Sequence, residues 1–167
     1  MMSIVKTISL VLLTASVAAC GQKYTVSVNN QSVYDPRPNQ TQVRFSDTGL
    51  QACVNLAIQQ TGLAVEELKV LSCPQWEIEQ IESIGALRSL QFLDLSNNAI
   101  TSIAPVVRLR NLSSITLSNN KLRDISPLER VATLNFATLS GNPNIPCEQI
   151  DKLRQRLANN LISGECS

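Results

Sequence analysis

From Leu68 onward, apolar positions return with a 22-residue period. Leu90, Leu93, Leu95, Asn98, Ile100 and Ile103 recur as Leu112, Ile115, Leu117, Asn120, Leu122 and Ile125. One step earlier stand Leu68, Leu71, Cys73, Trp76, Ile78, Ile81, Ile84 and Leu87. One step later stand Leu134, Ala137, Leu139 and Asn142, and Asn144 then breaks the frame. Each of the first three units offers seven apolar slots, and all 21 are filled if Cys73 is counted. An apolar content of 44% would fill about nine by chance. A period of this length specifies stacked units, because each leaves an apolar face bare until a neighbour covers it.

The slots have distinct physical roles. The Leu93-x-Leu95 spacing is that of a strand, with one inward residue skipping one outward residue. One such strand per unit, stacked in register, gives a parallel sheet of about four strands. Asn98, Asn120 and Asn142 fall where the chain turns away from each strand. Their amides both donate and accept, which suits backbone groups left unpaired in a tight buried turn. Pro105 and Pro127 share another slot and start short helical turns on the far side, where a missing N–H costs nothing.

These residues resemble the 22-residue leucine-rich repeats of bacterial secreted proteins of the internalin kind. The resemblance covers residues 68–145, about half of the chain. It implies a curved solenoid whose concave sheet binds another protein. With so few repeats, the chain is more similar to the small leucine-rich-repeat lipoproteins of Gram-negative bacteria. The expected fold class is therefore an α/β solenoid, a short repeat stack closed by a helix at each end.

The helical ends are visible on their own. Ser46-Asp47 followed by Leu50, Cys53, Val54, Ala57 and Ile58 reads as a capped amphipathic helix ending near Gly62, so residues 46–67 form an N-terminal cap. Pro146 begins a second helix with Ile150, Leu153, Leu157 and Leu161 on one side and Lys152, Arg154 and Arg156 toward solvent. Residues 146–167 are thus the C-terminal cap. The caps hide the apolar ends and strand edges of an otherwise open stack.

Ahead of these, residues 1–19 read as a secretory signal. Lys6 is the only charge, an apolar run covers Ile8 to Leu13, and small residues follow. The alternative, an uncleaved anchor, falls short of the roughly 20 apolar residues a membrane span needs. Val17-Ala18-Ala19-Cys20 resembles a lipoprotein lipobox. That resemblance implies lipidation at Cys20, and Gly21 after it implies forwarding to a Gram-negative outer membrane. Two or three acyl chains make a firm anchor. Residues 20–45, rich in Gln, Asn, Ser and Thr, read mainly as a polar tether. The rival reading is a short hairpin from Tyr24–Val28 and Gln42–Phe45, packed on the cap.

With Cys20 set aside, Cys53, Cys73, Cys147 and Cys166 remain, an even number in an exported chain, which favours two disulfides. Cys73 and Cys147 lie in inward slots three strand spacings apart, roughly 14 Å, beyond the roughly 7 Å that a bridge spans. The expected pairs are Cys53–Cys73 and Cys147–Cys166. A metal site is the poorer alternative: the spacing is wrong, and the chain has no histidine.

Given the family geometry, the outward strand positions form columns on the concave face. The candidates for partner binding are Phe92, Asp94, Ser114, Thr116, Phe136 and Thr138. Phe92 and Phe136 share a column, with Ser114 between them, and exposed aromatics are enriched at binding hot spots. The alternative is that one or both turn inward. A second candidate is basic: Arg88 and Arg110 share a slot, as do Arg108 and Arg130. Residues 21–87 carry 4 basic against 7 acidic side chains and residues 88–167 carry 9 against 6, a polarity suited to an acidic partner or an anionic headgroup. Such residues also serve simply to solvate a face.

Catalytic patterns are absent from the sequence: no phosphate loop, no Gly-x-Ser-x-Gly, no histidine. Asp94 beside Thr116 and Ser118 is the sole polar set, and it has no companion base. The expectation is a non-catalytic, cofactor-free and metal-free monomer. It would be membrane-anchored, binding another envelope or extracellular protein and no nucleic acid. The alternative is an assembly or piloting factor for an outer-membrane or secretion component.

Overall fold

A computed structural model describes residues 26–28, 31–34 and 43–164. The chain divides into two units, Met1–Asn39 and Gln40–Ser167. In the first, β1 (Val26–Val28) pairs antiparallel with β2 (Gln31–Tyr34), with a register irregularity between Val26 and Ser27. This strand pair lies within the stretch read mainly as a tether; residues 20–25, 29–30 and 35–42 lie outside the described residues. The hairpin forms one strand where Val26 and Val28 alternate with Ser27, residue types that suit a pleated surface. Its second strand is Gln31–Tyr34 rather than the expected Gln42–Phe45. Val43 packs on the core of the second unit and Phe45 is buried in it, so apolar burial, not strand pairing, decides that stretch.

The second unit opens with α1 (Thr48–Thr61). Asp47 is its N-cap, accepting the Leu50 N–H at 2.9 Å, and Gly62 ends it in the left-handed conformation at φ 69°. Four three-residue strands follow: β3 (Val70–Ser72), β4 (Phe92–Asp94), β5 (Ser114–Thr116) and β6 (Phe136–Thr138). They pair in parallel with an unbroken register, Val70 to Phe92 to Ser114 to Phe136. The middle residue of each strand, Leu71, Leu93, Ile115 or Ala137, points inward and is buried. Opposite the sheet, the chain returns through short helical turns at Glu82–Ala86 and Ala104–Arg108 and through α2 (Ser126–Glu129). The last two carry Pro105 and Pro127 in their first turns. The core lies between these turns and the sheet. It is a single cluster running from Phe45 to Leu157.

The C-terminal cap departs from expectation in two ways. The helix α3 spans only Cys147–Leu157, because Ala158 takes φ 49° and turns the chain. Leu161 is then not on the helix face. It begins β7 (Leu161–Ile162), which pairs parallel with β6, so the sheet has five strands rather than about four. The extra strand hydrogen-bonds to the sheet edge that the last repeat would leave open. Arg156 is exposed, as expected, and its guanidinium also donates to the carbonyls of Leu128, Glu129, Val131 and Leu134 at 2.6–3.1 Å. Those carbonyls end α2 and the loop beyond it, where the helix leaves acceptors without partners.

Candidate functional site

Strand alternation sends every second side chain to the outer face of the sheet, and the parallel register aligns them into columns. Val70, Phe92, Ser114 and Phe136 form one; Ser72, Asp94, Thr116, Thr138 and Ile162 form the next. Phe92 points outward, 49% exposed, and its Cα partner Val70 is 59% exposed. Phe136 and Ser114 are half-buried. At the far end Ile162 is 48% exposed. The face thus has an apolar corner at Val70 and Phe92, a hydroxylated middle, and a second apolar side chain at the last strand. Ile162 was hidden from sequence reasoning because its segment continued the apolar spacing of a helix. Asp94 does not stand free among hydroxyls: its carboxylate accepts from the Ser96 N–H at 2.9 Å and the Ser72 hydroxyl at 3.3 Å. That arrangement holds the turn after β4 and ties it to β3.

Beneath the strand ends run the asparagines. Asn98 accepts the N–H groups of Trp76 and Ile78, both at 3.0 Å, and donates to the carbonyls of Cys73, Leu95 and Ser96. Asn120 accepts from Ile100 and donates to Leu95, Leu117 and Ser118, and Asn142 accepts from Leu122 and donates to Leu117 and Leu139. Each amide therefore joins its own unit to the one before it. A second column precedes this one. Gln75, Asn97, Asn119 and Gly141, in the same slot of successive units, all take positive φ between 56° and 76°. Asn and Gly tolerate that conformation best, and the Asn-Asn pairs at 97–98 and 119–120 were the available signal. Asn119 also donates to the Asn97 side chain at 2.9 Å.

Cys53 on α1 and Cys73 just after β3 form a disulfide, with Cα atoms 5.8 Å apart. Cys147 is half-buried and bridged to no described cysteine; Cys166, its expected partner, lies outside the described residues. Cys20 and the whole of residues 1–19 lie outside them as well. Among the described residues no helix is long and apolar enough to cross a membrane, and no group of three or more metal-ligating side chains occurs.

A recurring strand-and-turn unit, stacked in parallel and pinned by the asparagine amides at 98, 120 and 142, defines a leucine-rich-repeat solenoid. Residues 88–130 match the family model described as leucine-rich repeats in two copies. An internalin from Listeria monocytogenes is similar to this chain at 25% identity over 59% of it, with a TM-score of 0.54. The chain spans 31% of that internalin's length. An internalin C2 from the same organism (29% identity, 53% of this chain and 37% of that one, TM-score 0.44) overlays less completely. So does a leucine-rich-repeat protein from Leptospira interrogans (24%, 52% and 22%, 0.43). No curated protein matches the chain. The repeats are thus similar to those of a bacterial internalin, and leucine-rich repeats are a fold typical of protein-binding modules.

Proposed function

We propose that the chain is a membrane-anchored protein-binding module that grips another envelope or extracellular protein through the outer face of its sheet. The carrying observation is the exposure of Val70 and Phe92 side by side on a registered strand pair, with Phe136 two strands further on. Large apolar side chains on a solvent-facing sheet are costly to leave bare and are enriched where partners bind. The hydroxylated centre keeps that face soluble when unoccupied. The anchor is the lipid on Cys20, which holds the module at the outer membrane, and the chain works as a monomer.

A photo-crosslinking residue at position 116, in the middle of the face, is expected to trap one predominant envelope protein. Phe92→Ala combined with Phe136→Ala is expected to abolish that capture with the melting temperature unchanged. Undiminished capture by the double variant would sink the reading. The anchor is tested separately: Cys20→Ser is expected to move the protein from the membrane fraction to the soluble one, and its retention at the membrane would refute lipidation as the tether.

A further inference from the structure

Away from the sheet face, the return turns Glu82–Ala86 and Ala104–Arg108 and the segments that follow them border an open hollow of about 580 Å³. Its lining is Gly85, Arg88, Val107, Arg108, Arg110 and Asn111. No carboxylate is among these residues. The ion pairs among the described residues, Lys152–Glu148 and Arg154–Asp151, lie elsewhere. Three guanidinium groups therefore share one hollow with no carboxylate in its lining.

The repeat frame builds this hollow. Arg88 and Arg110 occupy equivalent positions in successive units, each just after a return turn, and so stand on adjacent levels of the stack. Arg108 reaches the same place because the position across from it is Gly85. A Cβ there would stand 2.9 Å from the Cβ of Arg108 and 2.8 Å from its Cδ, too close for either to remain. In the next two units that position is Val107 and Glu129, so the opening is particular to this pair of repeats. Asn111 secures one wall by donating to the Arg88 carbonyl at 2.9 Å.

We propose that this pocket binds a phosphate-bearing group. A guanidinium offers forked N–H pairs that match phosphate oxygens. A phosphate can engage several forks, whereas one carboxylate fills a single fork. The volume has room for the ester's organic portion as well. The same chemistry is available from a soluble phosphate ester or from a phospholipid headgroup.

The test uses the full-length chain carrying Cys20→Ser, so that no acyl anchor drives flotation, and two probes: inorganic phosphate, titrated calorimetrically, and vesicles of phosphatidylcholine with or without phosphatidylglycerol, assayed by co-flotation. Saturable phosphate binding identifies a soluble ligand. Flotation that requires phosphatidylglycerol, without phosphate binding, identifies a headgroup. In either arm Arg108→Gln is expected to weaken binding roughly tenfold, and the Arg88→Gln/Arg108→Gln/Arg110→Gln variant to abolish it. Gly85→Ala, which displaces Arg108 without removing a charge, is expected to weaken binding too. The control Lys121→Gln/Arg123→Gln, which removes two charges at exposed positions outside the pocket, is expected to change affinity less than twofold. Absence of saturable binding to both probes, or equal loss in the control, overturns the proposal. All variants are compared at equal melting temperature, since the substituted arginines are exposed.

Discussion

At its N-terminal end the repeat stack is closed by α1, joined to the first unit through Cys53–Cys73 and through Asp47. Besides capping its own helix, Asp47 accepts the N–H groups of Glu79 and Gln80 at 2.8 and 3.1 Å. At its C-terminal end α3 is held by Arg156, which donates to four carbonyls, and by Gln149, which accepts the Ile125 N–H at 2.7 Å. The chain then adds β7 to the sheet. The difference follows from what each end leaves unpaired. The first unit presents spare N–H donors to its cap, and a carboxylate meets them. The last presents spare carbonyls, and a guanidinium meets those. Each cap thus meets the backbone groups its neighbour leaves unpaired: two N–H groups at Asp47, and four carbonyls together with the Ile125 N–H at the C-terminal end.

The interior sets the scale against which both ends are measured. Asn120→Ala removes a buried amide that serves one N–H and three carbonyls, and deletion of such a hub leaves several groups without partners at once. A loss of roughly 3–4 kcal/mol of unfolding free energy is expected by urea titration. A loss below about 1 kcal/mol would mean that water replaces the amide and that the stack is looser than described. Next in size, Cys53→Ala with Cys73→Ala opens a cross-link with a sequence separation of 20. The chain-entropy model gives about 3 kcal/mol. Hydrogen exchange should rise first over α1 while α3 stays protected; uniform acceleration would show that the ends are not independent. Peptide mapping of the nonreduced chain sharpens the contrast further, since a Cys147–Cys166 link would give the C-terminal end a covalent tie as well.

Arg156→Ala is the reciprocal experiment. Charge-assisted bonds to the four carbonyls are lost, with an expected cost of about 2 kcal/mol. Exchange should accelerate in α3 and around α2, leaving α1 unaffected. Arg156→Lys should fall between, because an ammonium lacks the planar fork that spans several acceptors. If alanine and arginine prove equally stable, the guanidinium is a solvated surface group after all.

How much of this was readable from residues alone differs along the chain. The strand register was legible because the core slots recur in every unit and no other alignment fills them: Val70, Phe92, Ser114 and Phe136 could be aligned before any coordinate. Cys73 carried its own address for the same reason. The ends were harder. Leu161 continues an apolar spacing from Leu157, so only the reversal at Ala158, a residue that ordinarily avoids positive φ, separates helix from strand. Arg156 sits on the polar side of α3, and periodicity cannot tell a solvated arginine from one whose head group reaches a neighbour's carbonyls. The outer face was legible as a set of columns, but the exposure of Val70 and Ile162 depends on what covers the two terminal strands, which lies outside any repeat. The arginine pocket was half legible. Arg88 and Arg110 were aligned by the frame, whereas Arg108 enters only because Gly85 leaves room.

The smallest expected effect concerns Asp47 and distinguishes the ends by pH. Partial burial pushes its carboxyl up, yet the N–H donors of Leu50, Glu79, Gln80 and Gly49 together outweigh that and hold it below its ordinary value of 3.8. A folded-state value below the unfolded one means that the ionised cap contributes stability above that ordinary value. The contribution is lost as pH falls through the folded-state value. Asp47→Asn removes the charge and keeps only one of the two acceptor oxygens, the other becoming an amide donor that faces N–H groups, and should cost about 1 kcal/mol at pH 7. The gap between variant and wild type should then narrow as pH is lowered below about 4. Asp124 supplies an acid-sensitive group at the other end, lowered by hydrogen bonds from the Ser126 side chain and backbone and from Gln149. Wild-type acid sensitivity alone therefore cannot assign the effect to either cap; the difference between the two proteins can. A gap that stays constant from pH 7 to pH 3 would show that Asp47 ties the cap through geometry rather than charge.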